Sequence, residues 1–282
     1  MNLLKKIAVV AGLAFSPWWL QASDASAQMQ LHLLDCGTIK VKDISLFSPG
    51  VDEGLSKTLV NSCYLIKHPK GNFLWDTGLS DQLVEQKDGV LVADGMFHLK
   101  VKRTLASQLA VLGLAASDID YVAISHFHFD HTGNMAKFKN AKFLVQKAEL
   151  TAAFSDKAKA MHFDPNDYKS IVKRQFVGVS GKYDVFADGK LILLPTYGHT
   201  PGHQSLLVNL KDTGAVVLSG DLYHFEKNMR HKRVPAINVD KAETLVSMNN
   251  IDEFLAEVDG QLWIQHDLET FKRLKKSPEF YQ

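Results

Sequence analysis

Residues 126–131 hold three histidines and one aspartate, and they follow directly on a short apolar run at 121–124. Each buried imidazole has two ring nitrogens that need partners, and neighbouring imidazolium charges repel one another. A divalent metal meets both demands, because imidazole and carboxylate are standard zinc ligands and imidazole also suits iron, copper and nickel. The segment therefore predicts a metal site at the end of a strand.

Three more candidate ligands, His199, Asp221 and His266, each follow another apolar, strand-like run. Loops at strand ends are where α/β folds place ligands, so we expect these residues to meet residues 126–131. Together the four segments offer five histidines and two aspartates, which suits two metals with room for water. Two metals would lower the pKa of a shared water enough to give a hydroxide nucleophile at neutral pH.

The composition is that of a globular protein with no basic field that would attract nucleic acid. The chain has 282 residues, of which 46% are hydrophobic, and a net charge of +1. That length can bury a large core, and the balanced charge excludes no small-molecule substrate. We therefore expect no nucleic-acid partner.

Residues 1–27 are predicted to be a secretory signal peptide. Two lysines precede an apolar stretch at 7–15, and an A-x-A pattern at 25–27 fits a cleavage site that leaves Gln28 as the first mature residue. The alternative is an uncleaved membrane anchor, although the apolar stretch is short for a bilayer span. We expect an exported protein, periplasmic or secreted, that has no membrane contact after cleavage.

The two cysteines of the sequence, Cys36 and Cys63, lie in or beside strand-like runs. Export would permit a disulfide between them. The alternative is a pair of buried thiols that pack as small apolar side chains. Neither cysteine has metal-site spacing to the histidines.

Strand-like and helical patterns alternate through the rest of the chain. Strands are predicted at 29–34, 62–66, 72–75, 121–124, 143–146, 183–186, 191–194, 204–210, 216–219 and 261–265, and helices at 101–112, 147–154 and 241–258. A turn at 187–189 predicts a hairpin, Asp240 is a candidate N-cap, and the polar stretch 155–168 indicates a connection or a lid-like insertion. The pattern favours one α/β domain, residues 28–282, with two similar halves and a sheet-on-sheet core covered by helices.

The pattern His-x-His-x-Asp-His at 126–131, followed in order by His199, Asp221 and His266, resembles the metallo-β-lactamase superfamily. Asp76, in Asp-Thr-Gly, matches the upstream aspartate of that superfamily. The resemblance covers nearly all of residues 28–282. It implies an αβ/βα sandwich, with two mixed sheets flanked by helices, and a dinuclear metal site between the two halves.

The resemblance also implies a role for each candidate ligand. One metal would be held by His126, His128 and His199, the other by Asp130, His131 and His266, with Asp221 as the bridge. Asp76 is expected to orient a ligand histidine through its free ring N–H. His203 is expected to support the ligands from outside or to be structural, rather than to bind metal. The remaining histidines are predicted to be surface or loop residues: His32, His68, His98, His162 and His231.

Within the superfamily, the segments 35–37, 63–66, 219–225 and 263–267 look like those of N-acyl-homoserine lactone lactonases. That resemblance implies two divalent metals, most simply zinc, an acyl lactone substrate, a quorum-quenching activity and a possible homodimer. In such lactonases a metal-bridging hydroxide attacks the ring carbonyl. Asp130 would then pass the proton to the leaving oxygen.

One position departs from the lactonase pattern. Many such enzymes place a tyrosine three residues after the bridging aspartate, where it holds the substrate carbonyl. Here that position is His224, which can still donate a hydrogen bond, and Tyr223 stands one residue earlier. We take His224 as the candidate for this role; the alternatives are that Tyr223 takes it or that neither residue contacts the substrate.

Four phenylalanines are candidate walls of an acyl channel, with plain core packing as the alternative for each. They are Phe47, Phe97, Phe127 and Phe129.

Three other functions fit parts of the pattern. The first is another exported metallo-hydrolase that acts on β-lactams, esters or organophosphates. The second is a mononuclear iron oxygenase of the persulfide dioxygenase type, which shares the His-x-His-x-Asp-His pattern with fewer ligands. The third is a metal-binding or sensor protein with an inactive site. Metal content separates the hydrolases from the oxygenase, because the hydrolases predict two metals per chain and the oxygenase predicts one iron.

Overall fold

The structure, a computed structural model, describes residues 28–282, and the predicted signal peptide at 1–27 lies outside that range. The strands are β1 Gln30–Val41, β2 Lys57–His68, β3 Gly71–Trp75, β4 Val90–Val92, β5 Phe97–Lys100, β6 Tyr121–Ala123, β7 Lys142–Gln146, β8 Phe176–Val179, β9 Tyr183–Asp184, β10 Leu191–Pro195, β11 Gln204–Leu210, β12 Gly214–Leu218 and β13 Gln261–Trp263. The α-helices are α1 Leu105–Val111, α2 Phe129–Thr132, α3 Lys147–Ala153, α4 Pro165–Tyr168, α5 Glu226–Arg230, α6 Lys241–Val258 and α7 Leu268–Arg273. Single 3-10 turns occur at Ile44–Phe47, Asp81–Glu85, Ala116–Asp118, Met135–Lys137, Ala158–Met161, Lys173–Gln175 and Gly220–Leu222.

The strands form two mixed sheets. The larger has the order β4-β5-β1-β2-β3-β6-β7-β8, and the smaller has the order β13-β12-β11-β10-β9. In the larger sheet β3, β6, β7 and β8 run parallel to one another, whereas the pairs from β4 to β3 are antiparallel. In the smaller sheet β12 and β13 alone are parallel.

The two sheets pack face to face because alternate residues of each strand point to opposite sides. On β11, Leu206 and Val208 lie in a buried cluster with Trp75 of the larger sheet. Between them, Leu207 points outward and packs with Met248 of α6. Helices α1 and α3 cover the other face of the larger sheet. This layering confirms the predicted αβ/βα sandwich with two mixed sheets flanked by helices.

Local sequence signals account for several element boundaries. Asp240 accepts a hydrogen bond from the Glu243 backbone N–H, so it caps α6 as predicted. The predicted hairpin is the antiparallel pair β9 and β10. The first predicted helix is shorter than expected, because the side chain of Thr104 caps it and α1 begins at Leu105. The strands β4, β5 and β8 were not predicted.

Cys36 on β1 and Cys63 on β2 form a disulfide. The pairing of β1 with β2 places Leu34 opposite Cys63, which brings the two sulfurs together. Gly78 packs directly on this disulfide, since a Cβ there would lie 2.3 Å from the Cβ of Cys36. Of the two states that the sequence left open, the structure therefore contains the disulfide.

Within residues 28–282, none of the helices has the length and the apolar character needed to cross a bilayer.

Candidate metal centre

Seven buried side chains come together from four strand ends. The segment after β6 leads into α2, and the other ligands follow β10, β12 and β13. They form two groups, His126, His128, His199 and Asp221 in the first and Asp130, His131 and His266 in the second, with the ligand atoms of each group within 4.8 Å of one another. These are the seven residues that the sequence pattern singled out.

Asp221 lies between the two groups. Its Oδ1 is 3.1 Å from His131 Nε2 and 3.0 Å from His266 Nε2. Its Oδ2 is 3.3 Å from His199 Nε2 and 3.7 Å from His126 Nε2. Because one oxygen faces each group, a single carboxylate can serve both, as the predicted bridge requires.

The donor set of the first group fits a cation. His126 Nε2 lies 2.7 Å from His128 Nδ1, and His199 Nε2 lies 3.2 and 3.1 Å from these two atoms. Each neutral imidazole carries one N–H and one lone pair, so three inward-facing ring nitrogens cannot all donate to one another. Inward lone pairs repel unless a positive ion lies among them, and imidazole with carboxylate is the set that zinc takes.

The outer ring nitrogens of the ligands face hydrogen-bond acceptors. His131 Nδ1 donates to Asp76 Oδ2 at 2.8 Å, and His266 Nδ1 donates to the Val60 carbonyl at 2.8 Å. His199 Nδ1 is 2.8 Å from the Asn238 side-chain oxygen. These bonds place the protons on the outer nitrogens and leave the inner lone pairs for a metal.

Asp76 is held rigidly for this task. It follows β3 with a left-handed backbone, φ +57°, and its side chain is fully buried. Its carboxylate accepts hydrogen bonds from the backbone N–H of Ser125 at 2.6 Å and from Gln265 Nε2 at 2.7 Å, besides that from His131. Asp76 bonds the ligand His131 and does not itself belong to either ligand group, as its predicted orienting role requires.

His203 also lies just outside the ligand groups. Its Nε2 accepts the backbone N–H of Asp221 at 2.9 Å, and its Nδ1 donates to the Thr196 carbonyl at 2.9 Å. Burial lowers the pKa of His203 to about 3, so the ring is neutral and its Nε2 lone pair is free to accept. It fixes the backbone of the bridging aspartate.

The charges of the ligands are set by burial and by one another. Burial lowers the pKa of His126 and of His128 well below the usual range. Burial disfavours the charge of His131 as well, but the Asp221 carboxylate and its acidic neighbours outweigh it and hold that pKa well above the usual range. The surrounding imidazoles likewise hold the pKa of Asp221 well below its usual range against the effect of burial. Asp221 is therefore ionised, as a ligand must be.

A cavity of about 740 Å³ opens above the centre. Its floor contains His128, Asp130, Asp221, His224 and His266. Its walls are mainly apolar and include Ile39, Leu46, Phe47, Leu59, Val92, Phe97, Leu99, Phe129, Phe163 and Ile237. Three of the four predicted phenylalanines thus line the cavity.

For Phe127 the structure corrects the prediction. Its side chain is fully buried and packs against Tyr168, with ring centroids 4.5 Å apart and the rings tilted, in the core beside the larger sheet. The backbone is extended where it enters α2, so alternate side chains point to opposite sides. His126 and His128 point to the centre, and Phe127 between them points away.

His224 and Tyr223 are separated in the same way. His224 lines the cavity, with Nε2 3.2 Å from Asp221 Oδ2 and its ring 4.3 Å from that of Phe47. Tyr223 points away from the cavity, and its hydroxyl donates to Asp252 Oδ1 at 3.1 Å. Of the two candidates, His224 therefore lines the cavity and Tyr223 does not.

The sequence did not single out several residues that build the site. Asn238 bonds the ligand His199, and Glu149 accepts the backbone N–H of Phe127 in a ligand loop. Gln265 donates to Asp76, the residue that orients His131. His162, predicted as a surface or loop residue, lines the cavity within the 155–168 stretch. The only sequence feature that indicated this part of the cavity wall was the polar stretch 155–168 with its Pro165.

Two histidines were misplaced by the sequence interpretation. His32 and His68 lie on strands and are buried, so the surface prediction for them is wrong. Neither belongs to the two ligand groups.

Comparison with known proteins places the chain among metal-dependent hydrolases. Residues 57–258 match the family described as the metallo-beta-lactamase superfamily. The N-acyl homoserine lactonase AttM of Rhizobium radiobacter is 30% identical over 260 residues, which cover 90% of this chain and 98% of that protein. An N-acyl homoserine lactonase of Bacillus cereus is 30% identical over 225 residues, which cover 77% of this chain and 85% of that protein.

A solved structure gives the same result for the fold. It is an N-acyl homoserine lactone hydrolase with the product N-hexanoyl-L-homoserine bound at its catalytic metal centre. It matches with a TM-score of 0.77 and 26% identity, and the match covers 90% of this chain and 99% of that chain.

Proposed function

The chain belongs to the metallo-beta-lactamase superfamily, and from that membership we propose that it is a dinuclear zinc hydrolase that opens the lactone ring of N-acyl-homoserine lactones. One observation carries the proposal: Asp221 presents one oxygen to each of two ligand groups at the floor of a mostly apolar cavity. Relatives named N-acyl homoserine lactonases that align with 90% of the chain support the choice of substrate.

The ligand groups define what each residue would hold. His126, His128 and His199 would bind one zinc, Asp130, His131 and His266 the other, and Asp221 both. When bound, the two ions supply Lewis acidity and lower the pKa of water towards neutrality. The complete second group argues against a mononuclear iron oxygenase, which would need fewer ligands.

The position of Asp130 supports a role in proton transfer. Its carboxylate lines the cavity, with Oδ2 3.5 Å from His266 Nε2. Ring opening adds the oxygen of a water to the lactone carbonyl carbon and breaks the bond to the ring oxygen. The proton lost by the water has to reach that leaving alkoxide, and we assign the transfer to the Asp130 carboxylate.

We assign to His224 a hydrogen bond to the lactone carbonyl oxygen. Burial lowers its pKa to about 4, so the ring is neutral at physiological pH and carries one N–H. Its Nδ1 is fully buried, so Nε2, which lies 3.2 Å from Asp221 Oδ2, is the atom that would turn to a substrate. A fixed donor at this place would stabilise the negative charge that develops on the oxygen.

The apolar walls would receive the acyl tail. Phe47, Phe97 and Phe129 give large apolar contact area, and Lys159 and His162 give a polar side at the same cavity. The acyl amide of such a lactone has an apolar tail and a polar amide group, which match these two sides of the cavity. This match supports an acylated lactone over a small polar ester as the substrate.

Export and quorum quenching are part of the proposal. The predicted signal peptide and the Cys36–Cys63 disulfide both fit an oxidising compartment such as the periplasm. A lactonase there would destroy signalling lactones as they pass. The possible homodimer stays a prediction.

The test is ring opening by the purified protein, followed by proton release, with a short-chain and a long-chain N-acyl-homoserine lactone. The Asp221→Ala variant is the control for background hydrolysis. We expect both lactones to open with the wild type and neither above background with the variant. If a protein that holds two metals leaves both lactones intact but hydrolyses a β-lactam, phosphotriester or simple ester, the proposed substrate is wrong.

A further inference from the structure

Glu149 is a buried carboxylate that belongs to neither ligand group. It lies in the first turn of α3, is fully buried, and has a pKa that burial raises to about 7. A carboxylate is costly to bury unless its oxygens are hydrogen-bonded. Both oxygens of Glu149 are hydrogen-bonded, and the two donors connect the residue to the metal ligands.

Each oxygen of Glu149 accepts a backbone N–H from a different ligand loop. Oε1 accepts from Phe127 at 3.0 Å, between the ligands His126 and His128. Oε2 accepts from Gly202 at 2.8 Å, in the loop that carries His199. The three histidines of the first ligand group therefore come from the two loops that this one carboxylate joins.

Close packing reinforces the link. A Cβ on Gly202 would lie 2.2 Å from the backbone nitrogen of Glu149 and 2.6 Å from its Cβ. No side chain fits in that gap without moving the loop off α3. Glycine at 202 thus lets the His199 loop approach near enough for the hydrogen bond to form.

The second ligand group is fixed by other bonds. The Asp130 carbonyl accepts from Asn61 Nδ2, and the His131 carbonyl accepts from the backbone N–H of Thr77 at 2.8 Å. His266 Nδ1 donates to the Val60 carbonyl. None of these bonds involves Glu149, so the carboxylate acts on one group and not on the other.

We propose that Glu149 is a positioning residue for the first metal: it sets the distance between the His126–His128 loop and the His199 loop, and so the affinity of that group for zinc. The inference rests on the two ligand groups and not on the identity of the substrate. Metal affinity can be measured without any lactone, so it stands or falls separately from the lactonase assignment.

The first test is zinc affinity in the Glu149→Gln variant, measured by competition with a chromogenic chelator. The amide keeps one acceptor oxygen but turns an N–H towards a second N–H, so one of the two links is lost. We expect the affinity of one site to fall about 10- to 100-fold, the range for loss of residues that support a ligand. The affinity of the other site should change by less than about 3-fold, since its own supports remain.

Reference variants identify which site weakens. His199→Ala removes a ligand of the first group, and His266→Ala removes one of the second. The binding step that weakens in Glu149→Gln should be the step that His199→Ala abolishes. The visible spectrum of the cobalt-loaded protein should change at the same site.

A matched control removes a buried carboxylate elsewhere. Asp81 is also buried and accepts a backbone N–H, that of Leu105 at the start of α1, but its carboxylate bonds neither ligand loop. Asp81→Asn should lower the thermal stability while the ratio of the two zinc affinities stays at the wild-type value.

Gly202→Ala tests the same link without removing the carboxylate. The added methyl should push the His199 loop away and weaken the site that Glu149→Gln weakens. Equal weakening of both sites in these variants, or unchanged affinities in both, would overturn the proposal.

Discussion

Removing the Cys36–Cys63 disulfide should cost the protein a substantial part of its stability. The bond closes a loop with a sequence separation of 27 residues. In the chain-entropy model, a loop of that length stabilises the folded state by about 3.5 kcal/mol at 25 °C, because the cross-link restricts the unfolded chain. For a domain of this size that loss should lower Tm by about 10 °C.

The assay is the free energy of unfolding in urea for the wild type and for the variant with Cys36→Ala and Cys63→Ala together. Both proteins should be measured at the same saturating free zinc, since bound metal adds its own stabilisation. Reductant supplies the internal control, because it should lower the stability of the wild type and leave the double variant unchanged.

A second readout comes from the packing of Gly78 on the disulfide. That glycine lies two residues from Asp76, which accepts the hydrogen bond of His131. Loss of the disulfide should therefore weaken zinc binding as well as folding. A double variant within about 1 kcal/mol of the oxidised wild type would refute the entropic argument.

Three further predictions concern single residues. Asp221→Ala should lower the zinc content at both groups and reduce lactone opening to background, as metal analysis and proton release on one sample would show; two retained metals would contradict the bridging role. His224→Phe should keep both metals but lower kcat about 100- to 1,000-fold, because a donor to the carbonyl oxygen is lost; an unchanged kcat would remove His224 from the mechanism. Burial lowers the pKa of His32 to about 4, so between pH 6.5 and 4 the unfolded chain binds more protons than the folded one and stability falls as pH falls. His32→Leu should remove that part of the fall in stability, at most about 3 kcal/mol. The measurement compares the free energy of unfolding of the variant and the wild type at pH 7 and at pH 4. If both proteins lose the same stability between these pH values, His32 does not contribute.

The ligand groups were predictable because their signals are local. The spacing within residues 126–131 brings three imidazoles and a carboxylate together whatever the rest of the chain does. Polar residues directly after apolar runs then indicated His199, Asp221 and His266, since strand ends meet at the edge of a sheet. The structure groups the same seven residues.

The directions of individual side chains were not predictable from the sequence. Phe127 and Tyr223 each stand next to a cavity residue in extended backbone, where neighbours point to opposite sides. A shift of one residue along the extended backbone therefore moves a side chain from the cavity into the core. The sequence does not fix that register in a loop.

The supporting bonds and the disulfide depend on long-range contacts. Glu149 reaches Phe127 and Gly202 across 22 and 53 residues, and no local pattern marks those pairs. The cysteines pair because β1 lies beside β2 in one register. Without that register, the sequence alone also permits two buried thiols that do not pair.

The most direct measurement of the central claim is a zinc titration of the metal-free protein with lactone opening recorded at each step. Two ligand groups joined by Asp221 predict that activity on an N-acyl-homoserine lactone reaches its plateau only when two zinc ions are bound per chain. Full activity with one ion bound, or no ring opening with two bound, would contradict the account.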